Sequence, residues 1–110
     1  MVLEHVPISV IPGREAEFEA AFDEARHHLA GAVGFRSLRL SRCMEEPSSY
    51  LLLVEWDTLA DHVDGFRNSP AFVQWRALVG GLWDPPPTVR HFEELVAMDG
   101  AVDDRPEAGS

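Results

Sequence analysis

The stretch Tyr50 to Trp56, YLLLVEW, constrains the fold of this chain more than any other segment. It is an almost unbroken run of strand formers, bounded before by Pro47-Ser48-Ser49 and after by Asp57-Thr58. A run this apolar has no side suited to water, so it reads as a buried strand whose two faces must both be covered. In a single domain of 110 residues, few architectures can do that.

The flanking segments supply the covers. Val2, Glu4, Val6, Ile8 and Val10 alternate with Leu3, His5, Pro7 and Ser9 in a first strand, where Pro7 signals an irregularity or a sheet edge. Pro12-Gly13 ends it. Residues 14 to 30 place Phe18, Phe22, Ala25 and Leu29 on one helical stripe, with acidic residues largely elsewhere, and Gly31 stops the helix. Phe35 to Arg42 alternates as a second strand with one wetter face, and Glu45-Glu46-Pro47-Ser48 turns the chain into YLLLVEW. Two short helices follow, one capped by Thr58 and one begun by Ser69-Pro70, and the second stops at Gly80-Gly81. Pro85-Pro86-Pro87 forces an extended connector, and Thr88 to Val96 reads as the last strand. The order is β-α-β-β-α-β. Right-handed crossovers turn it into an α+β, ferredoxin-like fold, a four-stranded antiparallel sheet with helices on one face. The bare face predicts a homodimer.

Composition removes several function classes. The formal net charge is −10, from 19 acidic and 9 basic residues, which disfavours nucleic acid and anionic membranes as partners. Every basic residue is arginine, so no lysine is present to form a Schiff base or act as a general base. Cys43, the one cysteine, has no intrachain disulfide partner and reads as a small buried hydrophobe, or as a thiol whose pKa Arg42 lowers. With no charged-then-apolar leader and no membrane-length apolar run, the expected location is cytoplasmic. The folded domain is expected over residues 1–97, and residues 98–110 form an acidic tail expected to be disordered.

Chemistry concentrates after YLLLVEW. Leu59, His62, Val63 and Phe66 share a helical face, which sets a histidine in an apolar stripe; Phe72, Trp75 and Val79 make a second stripe, with Trp83 just beyond. His62 is either a core or interface histidine bonded to a carbonyl, or a functional base. Arg67 lies near a helix end, where Asp64 or Glu55 could pair with it. Trp83, between paired glycines and a triple proline, could act as a lid. His5 and His91 lie on strands that this topology makes neighbours and could face one cavity; joined by His62, they would form a metal-ligand set. His27 and His28 are consecutive on a helix and are expected to be solvated.

Three groups of residues resemble the antibiotic biosynthesis monooxygenase domain family, whose members are dimeric α/β barrels. They are Pro12-Gly13-Arg14-Glu15 opening the first helix, YLLLVEW with His62, and Phe66-Arg67-Asn68-Ser69-Pro70 with Trp75. The ending Trp83-Asp84-Pro85 to His91-Phe92 is similar to one branch of it. The resemblance spans residues 2 to about 96. It implies activities ranging from cofactor-independent oxygenation of phenols and quinols, through haem degradation and enzymes acting on small signalling molecules, to no known reaction.

The haem-degrading branch is similar in shape, but its asparagine, tryptophan and histidine would correspond here to His5 or Pro7, Gly65 or Phe66, and Trp75 or Arg76, and none is kept. The resemblance therefore implies a monooxygenase needing no cofactor and no metal, which oxidises a small aromatic phenol or quinol with O2. A proton must leave the substrate so that its anion can reduce oxygen, and histidine has a suitable pKa for that task. His62 is then the expected base, with Arg67 or the Trp75 N–H stabilising the oxyanion. Phe66, Phe72 and Trp83 are expected to wall the pocket, and His5 and His91 to contact the substrate. The alternative is a non-catalytic dimer that binds a small apolar ligand in the same pocket.

Overall fold

The structure, a computed structural model, describes residues 1–101. Most of the expected acidic tail, residues 102–110, lies outside the described residues. The elements are β1 (Val2–Ser9), α1 (Glu15–Ala25), α2 (His27–Ala30), β2 (Phe35–Arg42), β3 (Ser49–Trp56), α3 (Pro70–Val79) and β4 (Arg90–Glu93). A π turn, Asp61–Gly65, and a 3-10 turn, Phe66–Asn68, join β3 to α3. The four strands form one antiparallel sheet in the order β2-β3-β1-β4, the ferredoxin-like α+β arrangement.

Strand alternation decides which side chains meet the helices. Tyr50, Leu52, Val54 and Trp56 on β3 are buried, and Ile8, Val6 and Glu4 of β1 stand directly opposite the first three of them on the same face. Phe18, Phe22, Ala25 and Leu29 close over this face from α1 and α2, and Trp75 and Val79 from α3. A fully buried side chain such as Phe18 contributes roughly 1.5–3 kcal/mol of transfer free energy. On the other face, Leu51 and Leu53 are half-buried and Phe92 is exposed. Within one chain, therefore, only one of the two faces of β3 is covered by helices.

Four expectations need correction. The helix over residues 14 to 30 is interrupted at Arg26, leaving His27–Ala30 as a separate turn. The last strand pairs only over Arg90–Glu93, because Glu93 already stands opposite Val2, where β1 begins; Leu95 and Val96 stay exposed. Leu59 is 48% exposed, because the π turn puts five rather than four residues between hydrogen-bonded groups and swings it out of the stripe that buries His62 and Phe66. Cys43 is only half-buried, its thiol 3.5 Å from a Glu45 carboxylate oxygen. Pro7 does lie at a local edge: β4 reaches only as far as His5, and the chain rejoins β1 at the Val10–Trp83 bridge.

Candidate active site

A cavity of ≈220 Å³ lies between the sheet and α3. Its lining includes Glu4 and Val6 from β1, His62 and Arg67 from the turns, Phe72, Trp75 and Arg76 from α3, and Trp83, Pro86, Pro87 and Val89 from the proline loop. Leu82, Trp83 and Asp84 are bonded through their backbones to Ser9, Val10 and Ile11, so the loop is pinned at one end before it arches away. That pinning corrects the idea of Trp83 as a lid: its backbone is part of the cavity frame.

A carboxylate sits at the inner end of this cavity. Glu4 occupies an inward position of β1 and is buried, and the Trp56 indole Nε1–H donates to its Oε1 at 2.9 Å. Burial pushes its pKa above the usual carboxylate value, against the opposing effects of that hydrogen bond and of the Arg67 charge. From the sequence, Glu4 reads as a strand residue with no role in the chemistry. Its signal was present, a single acid among Val2, Val6, Ile8 and Val10 on the apolar side of an alternating strand.

The π turn delivers His62 to the same place. Thr58 Oγ1 accepts the Asp61 N–H at 3.1 Å, and the Phe66 N–H reaches both Asp61 O and His62 O, which widens the turn. Gly34 permits the turn to lie against the start of β2: its φ is +79°, and a Cβ there would overlap the Asp61 side chain. His62 is 3% exposed and stacks on Trp56, with ring centroids 5.2 Å apart. Its Nδ1 is 2.8 Å from His91 Nε2, and its Nε2 is 3.3 Å from Glu4 Oε1. Burial first, then the charges of Arg67 and His91, lower its pKa to about 4. The contact with Glu4 is therefore that of a neutral imidazole beside a carboxylate rather than an ion pair. His91, half-buried, is also shifted down, by burial and by Arg67.

The remaining candidates divide. Phe72, Trp75 and Trp83 line the cavity, with Trp75 stacked on Phe72 and 5.8 Å from Trp83. The Trp75 Nε1–H is buried and, among the described residues, has no hydrogen-bond partner, so a residue of the cavity wall carries an unused donor. Arg67 lines the cavity and, among the described residues, makes no ion pair with Asp64, Glu55 or any other acid. Phe66 is not in the lining; it packs between Trp56 and Phe72 and faces a separate groove.

His5 is the displaced candidate. It follows Glu4 on β1, so its ring points to the opposite sheet face, 5.5 Å from Phe92, while His91 stands opposite Glu4 and points inward. A His5–His62–His91 set, conceivable from the strand order, does not assemble in this chain. Among the described residues, no group of three or more His, Cys, Asp or Glu is arranged to hold a metal.

The larger groove, ≈670 Å³, runs between α2 and the π turn and is lined by His27, exposed, and His28, half-buried, with Ala32, Val33, Asp61 and Phe66. The smaller cavity is the better candidate, because it alone joins buried titratable groups to an unsatisfied donor.

Residues 1–78 match the antibiotic biosynthesis monooxygenase family. The chain belongs to that family. It is 45% identical to the uncharacterized protein YczJ of Bacillus subtilis (strain 168) over 95 residues, which covers 86% of this chain and all of YczJ. A family structure from Bordetella bronchiseptica superposes with a TM-score of 0.83 at 40% identity, covering 86% of this chain and 97% of that one. SnoaB of Streptomyces nogalater, a cofactor-independent oxygenase, superposes with a TM-score of 0.78, covering 90% and 97%; its 20% identity speaks for the fold alone. No helix among the described residues is long and apolar enough to cross a membrane.

Proposed function

We propose that this chain is a cofactor-independent monooxygenase that oxidises a small aromatic phenol or quinol in the Glu4–His62 cavity. The observation that carries the reading is the cavity itself, aromatic on its walls, with buried acid-base groups at one end and the orphaned Trp75 N–H beside them. A cavity of about 150 Å³ holds benzene, so ≈220 Å³ suits a single substituted ring. Proton loss to the Glu4–His62 pair leaves an aryloxide, which Arg67 and the Trp75 N–H stabilise. The anion is then the reductant for O2, so the electrons come from the substrate.

The homodimer belongs to the same proposal. Leu51, Leu53 and Phe92 leave an apolar strip on the uncovered face, and the His5 Nδ1 buried there has no partner among the described residues. Light scattering should give twice the 12.3 kDa chain mass, and Leu53→Asp should halve it. The lone, half-buried Cys43 and the net charge of −10 fit a cytoplasmic protein acting on small molecules rather than on nucleic acid or membranes.

The test is oxygen uptake by metal-chelated protein against a panel of hydroquinones and polyphenols, with wild type and His62→Ala compared. Uptake above autoxidation that falls in the variant supports the reading. No uptake across the panel, with ligands still bound, moves the chain to the class of small-ligand-binding dimers.

A further inference from the structure

We infer that Glu4, rather than His62, is the group that takes the proton from a bound hydroxyl, with His62 and His91 acting as its positioning residues. The inference deepens the proposed function and rests on it for the location of the ligand.

Vacant lone pairs distinguish the two groups. His62 Nδ1 is occupied by His91 at 2.8 Å, and its Nε2 faces Glu4 Oε1 at 3.3 Å, so neither ring nitrogen is turned to the cavity without a protein group before it. The carboxylate is arranged differently. Trp56 Nε1–H and His62 Nε2 both approach Oε1, and no described residue donates to Oε2. Glu4 lines the cavity, and its side chain keeps 10% exposure against 4% for His62. Two groups thus fix one oxygen and leave the other for the ligand.

The tautomers follow from the carboxylate. An ionised carboxylate only accepts, so the nitrogen facing it carries the proton, and His62 Nδ1 is left to accept from His91 Nε2–H. His91 thereby holds His62 in the tautomer that supports Glu4. The 3.3 Å contact is longer than a formed N–H···O bond and is of the kind that tightens when substrate binds. In the step itself, the ligand O–H bond breaks and a new O–H bond forms on Glu4 Oε2. The electron pair stays on the ligand oxygen, and no oxidant is involved. Arg67 and Arg76, the charged groups lining the cavity from the 3-10 turn and α3, offset the aryloxide. Burial strengthens the carboxylate as a base while it weakens His62, in keeping with this geometry, and hydroxyls acidified by an electron-withdrawing ring substituent give up their proton to it most readily.

The probe for this step is para-nitrophenol, whose phenolate absorbs visible light and whose phenol does not. Bound to wild type, it should show the phenolate band below the pH at which the free probe does. Glu4→Gln should lose that band, Glu4→Asp should restore part of it, and His62→Gln and His91→Gln should keep it while moving its pH midpoint. For an oxidised substrate, Glu4→Gln should lower kcat by about 10²–10⁴-fold with KM little changed. Circular dichroism establishes that each variant is folded. Retention of the band by folded Glu4→Gln, its loss in His62→Gln alone, or a probe that stays protonated in wild type would each overturn the assignment. Because the band needs no oxygen, a protein that ionises the probe through Glu4 yet consumes no O2 would sustain this inference while ending the oxygenase reading.

Discussion

The two ends of β3 carry the same motif in opposite settings. At one end the Tyr50 hydroxyl donates to Glu19 Oε2 at 2.5 Å; at the other the Trp56 indole donates to Glu4 Oε1 at 2.9 Å. Glu19 lies at the rim on α1, with Arg42 at 3.2 Å and both side chains about half-exposed. Glu4 is sealed beside an imidazole that burial keeps neutral. At the rim, a cation and water share the carboxylate charge, and behind it the Phe18 ring packs against Tyr50 with centroids 4.9 Å apart. At the sealed end, the charge is balanced only by neutral dipoles and the Arg67 field, and open space adjoins it. A buried carboxylate held this way costs stability. Its place next to a cavity is what the proposed role of Glu4 rests on.

The largest expected effect belongs to the packed end. Phe18→Ala should remove about 3–5 kcal/mol of stability, read from urea midpoints at constant slope; a loss below about 1 kcal/mol would mean that this end is as loosely filled as the other. The next concerns pH at the sealed end. The folded state holds the His62 pKa at about 4 against 6.5, so on acidification the unfolded chain binds the proton first. Stability should fall by up to about 3 kcal/mol as pH drops from 6.5 to 4. Glu4 opposes this, since its raised pKa makes the folded state the better proton acceptor as the carboxylate titrates. Denaturation of wild type and His62→Gln at about pH 7 and about pH 5 separates the two, and an unchanged pH slope in the variant would contradict the neutral buried imidazole. The smallest effect is at the rim. Tyr50→Phe should cost about 0.5–1.5 kcal/mol, measured by thermal denaturation, and a larger loss would show that Glu19 depends on Tyr50 more than on Arg42.

The sequence made some of this legible and hid the rest. Helical stripes located the buried His62 and Trp75 and the half-buried Phe72, because burial follows period, and the strand order followed from crossover handedness. His5 and Glu4 show the limit of reading residue types without parity. The histidine drew notice as a chemical group although its position faces away, and the adjacent acid faced inward without being weighed. The extent of β4 could not be read from its own residues, because it is set by where β1 begins. Leu59 was misplaced because a regular helical period was applied across a π turn, which leaves no simple composition signal beyond Gly65.

That widened turn has a consequence for how such a site can be lost or gained. The five residues Asp61–Gly65 fill a space that a regular α-helical turn would fill with fewer. Deleting Val63, Asp64 or Gly65 would rewind the segment and rotate the residues before it by about 100° relative to those after it. His62 would then leave Glu4 while every side chain of the cavity remained encoded in the gene. Descendants of this chain can thus part with the proposed Glu4–His62 contact through one lost codon and keep the fold and the aromatic walls.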